Sequence, residues 1–199
     1  LSAFAFLSSL PDGASLEGYL FPGEYPIEPD TDSLELVRLM LDNFDRQVTP
    51  AMRQGFGTQG LSLRDAVILA SIIEKEAMLP EEKPLMAAVF LNRLRSGMRL
   101  QADPTVQYAL GHDSANDTWW KSPLDVADLA IESPFNTYLI DGLPPGPIAN
   151  PGLASLQAVA NPAAVDFLFF VLECDGETSG RHVFSATYEE HLGHVERCR

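Results

Sequence analysis

Residues 62–76 have the sequence Ser-Leu-Arg-Asp-Ala-Val-Ile-Leu-Ala-Ser-Ile-Ile-Glu-Lys-Glu, which is the strongest structural signal in the chain. Ser62 and Asp65 have the spacing of a capping box, in which each side chain accepts a hydrogen bond from the other residue's backbone N–H. The apolar run from Ala66 to Ile73 follows directly. This pattern predicts a helix that begins at the cap and continues to about Met78.

Two glutamates interrupt the end of this otherwise apolar helix. At about 100° per residue, Glu76 falls between Leu69 and Ile72, whereas Glu74 falls on a face of smaller residues. A carboxylic acid among bulky apolar groups has a raised pKa, which allows it to donate a proton near neutral pH. Glu76 is therefore the candidate acid, although two solvated glutamates at a fraying helix end would show the same spacing.

Start and stop signals predict further helices on both sides of this stretch. They run from Asp32, with Glu35, to about Phe44; from about Lys83 to Ser96, before Gly97; and from an Asp103-Pro104 start to Gly111. In the last of these, Asp103 is expected to be the N-cap and Pro104 the first helical residue.

The second half of the chain is predicted to hold a stiff loop and a hairpin. Residues 141–152, Asp-Gly-Leu-Pro-Pro-Gly-Pro-Ile-Ala-Asn-Pro-Gly, exclude a helix or a central strand, because proline removes backbone donors and fixes φ. Strands are expected at 167–172 and 182–184, with a turn at 176–180 and a final helix capped by Thr187 and Glu190. The fold class is thus α+β: one helix-rich domain over 1–199 with short strands, a C-terminal β-hairpin and Pro/Gly-rich loops lining a cleft.

The composition limits the partners of the chain. Its 199 residues carry a formal net charge of −15 and 46% hydrophobic residues, enough to bury a core. Nucleic acids and anionic membrane surfaces favour faces rich in Lys and Arg, which 13 scattered basic residues do not supply. The substrate is therefore expected to be neutral or to be held by a few local cations.

The cysteines and the late histidines leave alternatives open. Cys174 and Cys198 form a disulfide if the protein resides in an oxidising compartment, and are otherwise free thiols. His191, His194 and Cys198 share one face of the last predicted helix. No metal is expected there, because the sequence offers no second cluster of ligands and a polar helix end explains these residues.

Several long strings in this sequence resemble one known family from Leu16 almost to the end of the chain. The strings are Leu-Glu-Gly-Tyr-Leu-Phe-Pro at 16–22, Ala-Ser-Ile-Ile-Glu-Lys-Glu at 70–76, Val-Phe-Leu-Asn-Arg-Leu at 89–94, Gly-Met-Arg-Leu-Gln-Ala-Asp-Pro-Thr-Val at 97–106, Asn-Thr-Tyr at 136–138, and Gly-Leu-Pro-Pro-Gly-Pro-Ile-Ala-Asn-Pro-Gly at 142–152. In order and spacing they resemble the MltG-type (YceG-like) endolytic murein transglycosylases. The resemblance implies that 1–199 is the catalytic domain of such an enzyme.

The resemblance also implies a reaction and a catalytic residue. In the family, the second glutamate of Ile-Ile-Glu-Lys-Glu is catalytic, which corresponds to Glu76. A lyase of this kind cleaves the MurNAc–GlcNAc bond without activated water, leaves 1,6-anhydroMurNAc ends and terminates strand elongation. No cofactor is expected, because none of the lysines follows a glycine-rich phosphate loop of the kind that a pyridoxal-phosphate enzyme needs.

Other residues are predicted to contact the glycan. Gln101, Asn136 and Tyr138 offer amide and aromatic groups suited to sugars, and Glu74 and Asp103 are included as substrate-binding candidates. Asp103 is also the best candidate for the second carboxylate of a hydrolase, if it is not a helix cap.

Arg93 and Arg99 are candidates to meet carboxylates of the polymer, or to pair with acids on the protein surface. Two readings compete with the lyase: a two-carboxylate muramidase, and a glycan-binding scaffold of the cell-wall synthesis machinery without catalysis. The retention of Glu76 in apolar surroundings argues against the scaffold.

By resemblance, the partners are peptidoglycan strands and the penicillin-binding synthases. The full-length protein is expected to have an N-terminal single-pass anchor in the plasma or inner membrane, followed by a LysM-like subdomain. This domain would then lie on the periplasmic or extracellular side.

Overall fold

A computed structural model describes residues 4–11, 13–174 and 180–198 and confirms the α+β class. Its described helices are α1 (Ser33–Gln47), α2 (Pro50–Thr58), α3 (Leu63–Glu76), α4 (Lys83–Arg95), α5 (Asp103–Leu110), α6 (Leu153–Ala160) and α7 (Tyr188–Arg197). Two strands, β1 (Phe169–Leu172) and β2 (His182–Ser185), form an antiparallel sheet, and short 3-10 turns lie at Ala5–Ser9, Pro80–Glu82 and Asp128–Ala130.

Helix α3 forms the centre of the core. Ser62 and Asp65 make the predicted capping box, and every residue from Ala66 to Ile73 is buried. Such a run needs partners on several sides, and α3 packs against α4, α5 and α6. The predicted starts of α1, α4 and α7 are also confirmed, with Asp32 accepting a hydrogen bond from the N–H of Glu35.

Helices α2 and α6 were not predicted from the sequence. The glycines of α2 weaken the helical pattern, and α6 begins directly after the proline-rich loop, without a side-chain cap. The two helices pack so closely that a Cβ at Gly55 would lie 2.8 Å from the carbonyl oxygen of Ala160. Gly55 therefore allows α2 to pack closely on α6 at the expense of helix propensity.

The N-cap prediction for Asp103 is wrong. Ala102 occupies the N-cap position, without a side-chain hydrogen bond, and Asp103 is the first residue of α5. The helix begins one residue earlier than the Asp-Pro signal suggested, which leaves the carboxylate of Asp103 free to interact elsewhere. Gly111 ends the helix as predicted, at a φ of 72° that favours glycine.

The proline-rich loop is fastened to α3 and to residues near the start of the chain. Oδ1 of Asn150 accepts hydrogen bonds from the N–H groups of Gly18 and Leu20, at 2.7 and 3.2 Å. The Ile148 N–H donates to Oγ of Ser71 at 3.0 Å. The loop is a cleft wall, as expected, but it lines a cleft of about 400 Å³ with Tyr108 and Phe135 rather than the one that contains Glu76.

The hairpin and α7 form a unit at one side of the helical core. Phe170 pairs with Phe184 across the sheet, and α7 packs on both strands. A disulfide joins Cys174, after β1, to Cys198, after α7, so the pairing that the sequence left open is present. The predicted turn lies largely outside the described residues. Within the described part of the chain, no helix has the length and hydropathy to cross a bilayer.

Candidate active site

A cleft of about 370 Å³ lies between the helical core and the hairpin unit. The end of α3, the start of α5 and Arg93 of α4 form its core side, whereas β1, β2 and α7 form the opposite wall. The lining residues are Glu76, Arg93, Gln101, Asp103, Tyr138, Phe170, Val171, Leu172, His182 and His191.

Glu76 is the last residue of α3 and presents its carboxyl group to this cleft. Its Oε2 atom is buried and has no hydrogen-bond partner among the described residues. Burial, with a smaller contribution from the negative charge of Asp103, raises the pKa of Glu76 to about 8, although the positive charge of Arg93 opposes the shift. At neutral pH this group is therefore mainly protonated and can act as an acid.

Asp103 and Tyr138 form a hydrogen-bonded pair on the same side of the cleft. The Tyr138 hydroxyl donates to Oδ1 of Asp103 at 2.5 Å. Burial and this bond to a carboxylate both raise the pKa of Tyr138, so the phenol stays protonated as a donor. The pair places a negative charge near Glu76.

Gln101 is exposed at the cleft and has a left-handed backbone, with a φ of 48°. A residue other than glycine keeps this conformation only where its surroundings impose it. Here the Gln101 N–H donates to the carbonyl of Thr137 at 3.1 Å, and the Ala102 N–H donates to Oγ1 of Thr137 at 2.9 Å. The structure therefore brings Gln101, Asp103 and Tyr138 together around Glu76.

Arg93 is a buried cation between the core and the hairpin. Its Nε donates to the carbonyl of Leu168 and its Nη1 to the carbonyl of Leu100, both at 2.6 Å. The guanidinium also lies over the ring of Phe169, 5.4 Å from its centroid. These contacts fix Arg93 as a bridge between α4 and β1, while part of it still lines the cleft.

Glu74 and Asn136, which the sequence analysis named as candidate substrate contacts, do not line this cleft, and their side chains make contacts within the protein. Oε2 of Glu74 accepts hydrogen bonds from Lys83, Gly152 and Ser155 and so fastens α4 and α6 to α3. Although burial alone would raise the pKa of Glu74, the bonds from Ser155 and Lys83 lower it.

The amide nitrogen of Asn136 donates to the carbonyls of Leu129 and Ile131, and its Oδ1 accepts from the Tyr138 N–H. Asn136 is fully buried and shapes the segment that presents Tyr138. Arg99 is likewise engaged by the protein, because it pairs with Asp141 at 2.9 Å.

The hairpin wall adds histidines that the sequence did not predict for this site. His191 stacks on Phe169 and lines the cleft, and burial lowers its pKa. Cys198, which shared the face of α7 with His191, is bonded to Cys174. Among the described residues, no group of three or more His, Cys, Asp or Glu side chains is arranged to hold a metal ion.

The raised pKa of Glu76 predicts how stability depends on pH. The ordinary pKa of this side chain, 4.5, applies to the unfolded chain, whereas the folded pKa is about 8. Between these two pH values the folded chain retains a proton that the unfolded chain releases, so Glu76 lowers the stability of the fold as pH rises through this window. Glu76→Gln removes the penalty. We expect the variant's stability relative to the unaltered chain to rise by about 1 kcal/mol per pH unit between about pH 5 and 7. Urea denaturation at several pH values measures this, and a pH-independent difference would contradict it.

Comparison with known proteins supplies several close relatives. The family model described as the YceG-like family matches residues 3–197. An endolytic murein transglycosylase of Bacillus subtilis (strain 168) is 38% identical over 177 residues, which cover 88% of this chain and 46% of the relative. One from Streptococcus pneumoniae serotype 2 (strain D39 / NCTC 7466) is 35% identical over 191 residues, or 93% of this chain and 33% of the relative.

A solved structure has the same fold. The 2.6 Å crystal structure of a yceG-like protein from Listeria monocytogenes superposes with a TM-score of 0.75 at 38% identity, covering 89% of this chain and 54% of that one. This chain therefore spans about half, or less, of the length of each relative.

Proposed function

Because this chain belongs to the YceG-like family, we propose that it is an endolytic lytic transglycosylase that cleaves the MurNAc–GlcNAc bond of peptidoglycan strands. The observation that carries the proposal is the carboxyl group of Glu76. Its Oε2 atom is buried at the end of α3, its pKa is raised, and it faces a cleft large enough for part of a sugar chain. It also stands at the position that the family resemblance assigns to the catalytic acid.

Glu76 performs both proton transfers in the proposed reaction. It first donates its proton to the glycosidic oxygen while the bond to the MurNAc anomeric carbon breaks. The resulting carboxylate stabilises the positive charge on the sugar ring. It then accepts the proton of the MurNAc 6-hydroxyl, whose oxygen bonds to the anomeric carbon and gives the 1,6-anhydro end. The acid is thereby regenerated without a water nucleophile.

Asp103 and Tyr138 support this cycle from the same side of the cleft. The negative charge of Asp103 favours the protonated form of Glu76 before the reaction and the positively charged sugar ring during it. Tyr138 holds the Asp103 carboxylate in place through its hydroxyl group. The site thus places the carboxyl group of Glu76, with its raised pKa, in one cleft with the Asp103 carboxyl group, which accepts a hydrogen bond from a phenol.

The position of Asp103 also gives the competing mechanism a specific basis. Since Asp103 is not the N-cap of α5, its carboxylate lies in the same cleft as Glu76, as a two-carboxylate muramidase requires. In that enzyme, Asp103 would activate water or attack the sugar, and the product would have a reducing end. The two mechanisms differ in the origin of the oxygen at the new end.

We expect cleavage of purified glycan strands in heavy-oxygen water to leave the new MurNAc ends unlabelled and lighter by one water than hydrolytic ends. Asp103→Asn should still form anhydro ends, with a rate reduced by no more than about tenfold, because one hydrogen-bonded charge is lost. Mass spectrometry of the products measures both. Reducing ends that contain solvent oxygen, together with an inactive Asp103→Asn protein of unchanged Tm, would establish the muramidase instead.

The proposal extends to the place and partners of the domain. The disulfide between Cys174 and Cys198 supports a location outside the cytoplasm, where such bonds persist. We place the domain on the outer side of the plasma or inner membrane, held by an anchor in the full-length protein. Beside the penicillin-binding synthases there, cleavage of nascent strands would terminate their elongation.

A further inference from the structure

The hairpin wall of the cleft contains a buried pair that the proposed reaction does not use. Nδ1 of His182 lies 2.8 Å from Oε2 of Glu82, and the backbone N–H of His182 donates to Oε1 of the same carboxylate at 2.9 Å. The two side chains are only 9% and 6% exposed, respectively. The pair joins the start of β2 to the 3-10 turn that follows α3.

These contacts determine which ring nitrogen of His182 carries a proton in the neutral form. Both carboxylate oxygens of Glu82 act as acceptors, so Nδ1 must be the donor to Oε2. Nε2 is then an acceptor, and no described residue donates to it. The ring of Phe170 packs edge-on against His182, with centroids 5.6 Å apart, and restricts the imidazole further.

His182 lines the same cleft as Glu76, so its oriented acceptor is available to a substrate. Nε2 of His182 is not among the buried unpaired side-chain atoms of the described residues, so it is open to the cleft, where an O–H or N–H group of a ligand can replace solvent as its donor. Sugar rings and their acetamido groups present many O–H and N–H donors. A site that fixes one acceptor in this way discriminates in favour of ligands that supply the matching donor.

We propose that His182 is a glycan-binding residue of the Glu76 cleft, and that Glu82 is the residue that positions it. The inference rests on the proposed function and names a contact for its substrate: an O–H or N–H donor of the amino sugar meets Nε2. Glu82 lies six residues after Glu76 in the chain, in the 3-10 turn that follows α3.

Glu82→Gln tests the positioning role with a nearly isosteric change. The backbone N–H of His182 still needs the remaining oxygen, so the new NH₂ group faces Nδ1 and forces the ring into the Nε2–H tautomer. Nitrogen NMR of the imidazole should report this switch. An unchanged tautomer would overturn the role of Glu82.

Kinetics on purified glycan strands test the binding role. We expect His182→Ala and Glu82→Gln each to lower kcat/KM for formation of anhydro ends about tenfold, mainly through KM. The double variant should be no worse than His182→Ala alone, because both changes act through Nε2. His194→Ala, on α7 but outside this cleft, is the matched control and should leave kcat/KM unchanged.

The outcomes separate this inference from the proposed function. Values of kcat/KM within about twofold of the unaltered chain in folded Glu82→Gln with a switched tautomer would overturn the His182 assignment and leave the transglycosylase intact. This test with Glu82→Gln remains valid even if the His182→Ala variant does not fold. A chain that forms no anhydro ends in its unaltered form would overturn the proposed function and, with it, this inference.

Discussion

Glu76→Gln is expected to lower the rate of anhydro-end formation by about 10³-fold while leaving the fold intact. The amide has nearly the shape of the acid but cannot donate and recover a proton. Since Oε2 of Glu76 has no hydrogen-bond partner among the described residues, the substitution breaks no contact there. Digestion of purified strands, followed by mass analysis of the ends, measures the rate, and circular dichroism checks the fold.

The matched control lies two residues away in the same motif. Glu74→Gln changes an equivalent side chain whose contacts are all within the protein, so each folded molecule should retain its activity. Near-normal turnover by Glu76→Gln, with loss of turnover in Glu74→Gln, would reverse the assignment of the catalytic acid.

The features that the sequence predicted correctly are local. The capping box of α3 and its apolar run lie within one helical segment, and they are sufficient to predict the helix and the buried residues that precede Glu76. The raised pKa of Glu76 was expected from its apolar neighbours along the helix, and burial is indeed its largest cause. Family resemblance pointed to the same glutamate from a whole motif.

The features that the sequence did not predict depend on residues far apart in the chain. Tyr138 meets Asp103, and Glu82 meets His182 across 100 positions, and no periodicity links such pairs. The N-cap prediction for Asp103 failed because Ala102, whose N–H donates to Thr137 of another segment, occupies that position. Tertiary contacts overrode the local signal at the point where the cleft is formed.

Glu74 shows the same limit, since its partner Gly152 ends the predicted proline-rich loop and its partner Ser155 belongs to α6, which the sequence did not predict. The proton of Glu76 is used in the proposed reaction, whereas the charge of Glu74 holds helices α3, α4 and α6 together. Substitution of Glu74 should therefore change mainly stability, whereas substitution of Glu76 should change mainly activity, and both effects can be measured.

Glu74→Ala should lower the free energy of unfolding by about 3 kcal/mol at neutral pH. The change leaves Lys83, whose side chain is only 10% exposed, without its ion-pair partner at 2.9 Å, and leaves the Gly152 N–H and the Ser155 hydroxyl without their acceptor. The partial exposure of Glu74 keeps the loss at the lower end of the range for buried pairs. Urea denaturation at pH 7 measures the change.

The dependence of stability on pH and two control variants make this prediction specific to the charge of Glu74. Its folded pKa lies below its ordinary value, so its stabilisation is complete above that value and is lost as pH falls through the folded pKa. The difference in the free energy of unfolding between Glu74→Ala and the unaltered chain should thus become smaller at acidic pH.

Two variants are the controls. Glu74→Gln keeps an acceptor for Ser155, so its free energy of unfolding should fall less than that of Glu74→Ala. Glu81→Ala, at an exposed acid on the next turn, should lower the free energy of unfolding by less than about 0.5 kcal/mol. Equal stability of Glu74→Ala and the unaltered chain at pH 7 would show that Glu74 does not hold α4 and α6 on α3.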